Sequence, residues 1–203
     1  EGTISAWIKI DNFSTNEYVL SKNHIAGGSR EYEMLINANK YAVFIVIDDH
    51  TGGYTADTVA TGTTTLSADT WYHIVGTTHD TNKTKVYVNG LIEGTSDTAV
   101  ATVGDGSAPL VIGKTTGGTQ TNGFIDEVAI WDVELDADAI AAVYNSGTPF
   151  NLTKDKGNYN NSGDLVGYWR FEEGTGPSAA DSSTNGNTGT LKHDATWSTD
   201  VPS

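Results

Sequence analysis

The sequence predicts an all-β fold, an antiparallel two-sheet sandwich with a single short helix. Three observations carry that expectation. Period-two alternation recurs in segment after segment, Asn-, Gly- and Asp-rich turns separate the segments, and only one stretch has helical spacing. Many strands at regular spacing with one short helix pack as an antiparallel sandwich.

Residues 3–10 place Ile4, Ala6, Ile8 and Ile10 on one strand face and Trp7 on the other. Residues 18–22 form the next strand, followed by a Gly27-Gly28 turn. Residues 31–36 and 41–48 pair through Asn37-Ala38-Asn39, a composition that tolerates positive φ. Ile45-Val46-Ile47 is β-branched throughout, as in a strand buried on both faces. Residues 49–62 read as a long loop with room for one short strand. Residues 71–77 and 84–90 alternate cleanly, joined by the turn Asp80-Thr81-Asn82-Lys83, and Asn89-Gly90 turns into Leu91-Ile92. Residues 109–113 and 122–131 continue the series, with Phe124, Val128 and Ile130 as the apolar side of the latter. Asp136 caps the helix, Ile140, Val143 and Tyr144 share one face, and Gly147 ends it. Residues 151–163 read as a linker or extended loop. The strand pattern then restarts at 165–171 and again at 188–191.

Bulk properties exclude several functions. With 26 acidic and 11 basic residues the formal net charge is −15, which disfavours nucleic acid and would attract divalent cations. The 203 residues contain no cysteine, so disulfides, thiolate metal sites and cysteine nucleophiles are absent. No apolar run approaches the roughly 18 residues of a membrane span, so membrane insertion is not expected.

Several motifs together resemble the laminin-G-like members of the concanavalin A-like lectin/glucanase superfamily. They are Thr3-Ile4-Ser5-Ala6-Trp7-Ile8-Lys9, Trp71-Tyr72-His73-Ile74-Val75-Gly76-Thr77, Val86-Tyr87-Val88-Asn89-Gly90, Gly123-Phe124-Ile125-Asp126-Glu127-Val128, and the helix ending Val143-Tyr144-Asn145. The resemblance implies a jelly-roll of two curved antiparallel sheets. One feature departs from the family's order. Tyr168-Trp169-Arg170-Phe171 and the Asp181 loop look like the segment that opens such a domain, yet here they come last. The expected organisation is a sandwich core over 1–150, a linker over 151–163, and a segment over 164–203. That last segment either completes the same sandwich in permuted order or opens a following repeat. The chain also starts on a strand pattern without Met, as a piece of a longer repeat protein would. A strand missing from the pattern would leave an open edge for a neighbouring chain or repeat to fill.

Candidate site residues follow. Asp181, Ser183, Asn185 and Asn187 put oxygen-bearing side chains at every second position around a glycine, as in the first half of a calcium loop. Lys192 stands where an EF-hand carries its closing Glu, so carboxylates from elsewhere are needed, and Asp126 and Glu127 are the obvious donors. The resemblance implies a structural calcium of this kind; the bland reading is an Asx-turn with solvated acids. For catalysis, the resemblance implies two Glu flanking an Asp on one strand, and the second Glu is missing. Adjacent strand residues also face opposite ways, so Asp126 and Glu127 are not expected to address one substrate. The five histidines have no zinc spacing, and His73 reads as structural. Sugar binding needs exposed rings beside polar groups, and Tyr41, Tyr54 and Tyr159 are the candidates. Trp7, Trp71, Trp131 and Trp169 sit in strand patterns and read as core; Trp197 near the end has no assigned place.

The expected function is a non-catalytic recognition or adhesion module, glycan-binding and calcium-stabilised, on an extracellular, cell-surface or virion-surface protein. The alternative is a structural repeat that builds a fibre, capsid decoration or surface layer through protein contacts.

Overall fold

The computed structural model describes residues 1–24, 29–47, 58–79, 83–99, 108–115, 118 and 120–203. Its strands are β1 (Gly2–Ile10), β2 (Glu17–His24), β3 (Ser29–Ile36), β4 (Ala42–Val46), β5 (Thr58–Thr61), β6 (Tyr72–Thr78), β7 (Lys83–Val88), β8 (Leu91–Ala99), β9 (Val111–Ile112), β10 (Gly123–Trp131), β11 (Leu165–Trp169), β12 (Ser178–Ala179) and β13 (Gly189–Thr190). Among the described residues there is one α-helix, α1 (Ala137–Tyr144), between β10 and β11. A six-stranded antiparallel sheet runs β11-β10-β1-β6-β7-β8 and a five-stranded one runs β5-β4-β3-β2-β9, with β12-β13 as a small ribbon. This is the jelly-roll sandwich. The short strand expected within 49–62 is β5. The turns at Gly27-Gly28 and at residues 80–82 lie outside the described residues.

Two cores hold the molecule together. The first lies between the sheets, where Ile4, Ala6, Ile8 and Ile10 meet Met34, Ile36, Phe44, Val46, Ile74 and Val128. Each fully buried side chain of this type contributes about 1.5–3 kcal/mol. The second lies on the outer face of the six-stranded sheet. There Val75, Tyr87, Ala129, Trp131 and Tyr168 are covered by Leu135, Ile140 and Val143 of the helical segment and by Leu152 and Tyr159 of the loop beyond it. Trp7 lies on this face, as alternation requires, and stacks on Tyr144 with ring centroids 5.8 Å apart.

The helix begins as expected, with the Asp136 carboxylate accepting from the Ala139 amide at 2.8 Å. It ends earlier than Gly147. Asn145 takes the left-handed conformation at φ 48°, returns its amide to the Ala141 carbonyl, and opens a separate 3₁₀ turn over Asn145–Gly147.

Residues 151–163 are not a passive linker. Tyr159 is 0% exposed, and its hydroxyl donates to the Leu152 carbonyl at 2.8 Å while accepting from the Trp131 indole N–H at 3.0 Å. Replacing Tyr159 by Phe would leave both partners buried and unsatisfied. We expect a loss of about 1–3 kcal/mol, seen as a fall of roughly 2–10 °C in thermal midpoint. An unchanged midpoint would mean that water replaces the hydroxyl. The segment from 164 onwards adds an edge strand: Trp169 pairs with Val128 and Tyr168 with Ala129, while Trp169 and Ala179 enter the inter-sheet core. At the far end of the other sheet, β9 is only two residues long, and so short an edge offers little template for pairing. Among the described residues no helix is long and apolar enough to cross a membrane.

Candidate functional site

The acid pair on β10 sits in a β-bulge. Ser5 pairs with Ala129 but Trp7 pairs with Asp126, so β10 carries one extra residue at this point. Glu127 absorbs it with φ at 49°, and its amide is taken by the Asp126 carboxylate at 2.9 Å instead of by the ladder. The bulge changes which way everything points. Asp126 faces the same side as Trp7, and Glu127 lines a cavity on that side with Ser5, Trp7 and His73. Strict alternation would have put the two acids on opposite faces; they share one. For the same reason Phe124, paired with Lys9, lies on this outer side, while Val128 and Ile130 face the inter-sheet core.

Both carboxylates are buried. Glu127 is 6% exposed, accepts a hydrogen bond from the Tyr168 hydroxyl, and has Arg170 Nε 3.5 Å from its other oxygen. Phe150 and Leu152 line the same cavity. Burial raises its pKa to about 7, against the lowering effects of Tyr168 and Arg170. Asp126 is 8% exposed and is raised to about 6, again chiefly by burial, with Glu172 adding to the rise. Arg170 also pairs with Glu172 at 3.0 Å. His73 is buried and pushed down to about 3, which keeps the imidazole neutral and fits its structural reading.

Along the same outer face the side chains become accessible. Lys9 reaches over the Phe124 ring at 4.7 Å from its centroid and over Trp71 at 5.8 Å. The two rings lie 6.4 Å apart. Asp200 arrives from the C-terminal segment, pairs with Lys9, and accepts from the Trp71 indole N–H at 3.0 Å. Those hydrogen bonds hold its carboxyl below the usual range. Trp71 therefore departs from the core reading. Trp7, Trp131 and Trp169 are buried, whereas Trp71 is half-buried at the rim of the sheet. Residues 71, 124 and 9 meet because Lys9 pairs with Phe124 and Trp71 precedes the strand paired to β1 on its other side.

The calcium expectation meets a hydrogen-bonded turn. The Asp181 carboxylate accepts from the amides of Tyr168 (2.9 Å), Ser183 (2.8 Å) and Asn187 (2.7 Å) and from the Ser183 hydroxyl (2.9 Å). Asn185 and Asn187 turn their amide N–H groups to the Val166 carbonyl, at 3.0 and 2.9 Å. Donors pointing this way pin the turn to β11 and leave few oxygens to wrap a cation. Among the described residues no three His, Asp or Glu side chains gather at one point, so Asp126 and Glu127 do not complete a set with Asp181. The side chains as arranged do not fit calcium.

Of the tyrosines proposed as sugar platforms, Tyr159 is fully buried and its hydroxyl is used internally, so it offers no face to a ligand. Tyr41 is half-buried just after the Asn37 turn, with its amide bonded to the Asn37 side chain at 3.1 Å. Tyr54 lies outside the described residues. Trp197 packs on Phe171 at 6.3 Å and donates its indole N–H to the Gly176 carbonyl at 2.8 Å.

A model of the concanavalin A-like lectin/glucanases superfamily matches residues 1–141. No curated protein matches the sequence. Among solved structures, a candidate carbohydrate-binding protein from Bacteroides ovatus is similar at a TM-score of 0.66 and 20% identity, over 99% of this chain and 54% of that one. The CBM40 of a Ruminococcus gnavus IT-sialidase, bound to α2,3-sialyllactose, matches at 0.56 and 14% over 70% of this chain and 82% of that one. A heptameric SAP-like pentraxin from Limulus polyphemus matches at 0.55 and 16%, over 70% and 69%. At these identities the likeness is one of fold. This chain spans about half the length of the Bacteroides protein.

Proposed function

The chain belongs to the concanavalin A-like lectin/glucanases superfamily, and on that premise we propose that it is a non-catalytic binding module whose ligand is a glycan. The observation that carries the reading is the rim cluster of Trp71, Phe124, Lys9 and Asp200. A sugar's C–H face stacks on an aromatic ring while its hydroxyls take hydrogen bonds from charged groups, and this cluster offers both within one reach. Arg170 and Glu172 extend the polar side of that face towards β11. Retaining glycoside hydrolysis needs two carboxylates facing the sugar, and Asp126 and Glu127 are both buried, so catalysis is not part of the reading. Similar folds that carry a bound sugar, such as the sialidase module, support it as analogy. The reading goes with an extracellular, cell-surface or virion-surface setting, where glycans are met.

The test is a glycan array probed with the native chain and with Trp71→Ala, in calcium and in chelator. Native protein should bind at least one glycan class equally in both conditions, because no cation is needed at the rim. Truncating Trp71 should weaken that binding about tenfold, a loss near 1.4 kcal/mol, with the fold intact by circular dichroism. Folded protein that binds nothing in either condition would sink the glycan reading in favour of a structural repeat held by protein contacts. Binding or thermal stability lost only in chelator would restore calcium.

A further inference from the structure

The second core buries two polar side chains with no partner of their own. Ser5 on β1 and His73 on β6 are each 1% exposed, and among the described residues neither Ser5 Oγ nor His73 Nδ1 has a hydrogen-bond partner. Buried polar groups left this way are costly, so folded proteins rarely keep two together. Here they line the same cavity. It has a volume of about 10 Å³, with Glu127 as its third polar wall and Trp7, Val143, Pro149, Phe150 and Leu152 as its apolar ones. That is room for about one water molecule, and buried waters typically make about three hydrogen bonds.

We propose that this cavity is a binding site for a single internal water that bridges Ser5 Oγ, His73 Nδ1 and the Glu127 carboxylate. The balance of donors and acceptors closes. Ser5 donates its hydroxyl proton to the water, and the water donates one proton to Nδ1 of the neutral imidazole and the other to the carboxylate. Tyr168 and Arg170 already hold the far side of that carboxylate. The water therefore joins the bulge on β10 to β1 and β6, and Pro149, Phe150 and Leu152 line the side of the cavity away from the strands.

Ser5→Val and Ser5→Ala distinguish a wet cavity from a dry one. In a dry cavity the valine methyls fill space and the midpoint rises above that of the alanine variant. In a wet one valine displaces the water and strands His73 and Glu127, and the midpoint falls roughly 2–4 °C below that of alanine. A crystal structure of the native chain reads the site without any variant. A density peak within hydrogen-bond distance of both Ser5 Oγ and His73 Nδ1 is the expected result. A cavity without density, or a Ser5 hydroxyl rotated to bond Glu127 directly, would overturn the proposal.

Discussion

Replacing Gly94 by alanine is expected to lower stability by about 3 kcal/mol or more, at the upper end of what overpacking costs. Gly94 lies on β8 where that strand passes β5, the seam at which the two sheets meet. A Cβ there would stand 2.1 Å from the Thr61 carbonyl oxygen and 2.7 Å from its carbon. Both obstacles are backbone, so no side chain can swing aside. Neither strand is free to retreat. Thr61 is laddered to Val43, the next amide at Gly62 bonds the Ala42 carbonyl at 2.8 Å, and Gly94 is itself paired with Val86. Glu93 fastens the seam further by accepting from the Thr63 and Thr64 amides at 2.8 and 2.6 Å. Thermal unfolding should show a drop of roughly 6–12 °C for the alanine variant. Gly163→Ala is the control, since nothing lies within 4 Å of its Cβ and the midpoint should not move. A Gly94→Ala protein as stable as native would mean that the sheets do not approach this closely in solution. Gly76 presents the softer version, with a Cβ 2.3 Å from the Phe44 ring in the inter-sheet core. There a second substitution, Phe44→Leu, should recover part of the loss.

What the sequence disclosed and what it concealed have physical reasons. The strands and the helix start were legible because each depends on residues close in the chain: a two-residue repeat of side-chain type in β1, β6 and β7, and for α1 a side-chain cap three residues from the amide that donates to it. The bulge at Glu127 was not, because a non-glycine residue at positive φ carries no turn signal of its own. A trace was nonetheless present. Ile125 and Val128 are three apart, so they can share the inward face with Ile130 only if one residue is inserted between them. The rim cluster depends on partners 62, 115 and 191 positions from Lys9, and Trp71 looks like any other strand tryptophan until those partners are placed. Tyr159 failed as a sugar platform for a related reason. Its polar neighbours in sequence suggested a surface loop, whereas its hydroxyl is the one group that satisfies both Trp131 and Leu152.

Thermal stability is expected to be greatest near pH 4 to 5 and to decline on either side, because three buried groups titrate in opposite senses. Burial raises Asp126 from 3.8 to about 6 and Glu127 from 4.5 to about 7. Between their unfolded and folded values the native chain therefore binds more protons than the unfolded one. Their contribution is complete below about pH 4 and is lost as pH climbs through 6 and 7. His73 works the other way. Burial lowers it from 6.5 to about 3, so below 6.5 the unfolded chain takes a proton that the native core refuses, and stability is lost as pH falls. From pH 7 down to about 4.5 the two acids outweigh the one histidine. Below about pH 4 only the histidine loss continues. A tenfold change in proton affinity is worth about 1.4 kcal/mol, so the chain should be about 2 kcal/mol more stable at pH 5 than at pH 8. The other groups facing the pair do not reverse the sign. Arg170 and the Tyr168 hydroxyl favour the ionised Glu127 and Glu172 opposes ionised Asp126, and burial remains the largest influence on both acids. Midpoints measured from pH 3 to 9 test this directly. Asp126→Asn with Glu127→Gln should abolish the alkaline decline and leave stability that rises from pH 3 to about 6.5, while His73→Gln should abolish the acid limb and steepen the alkaline one. A native midpoint that rises steadily from pH 5 to 8 would show that both acids are ionised in the folded state, and that Arg170 neutralises the pair more completely than their burial allows.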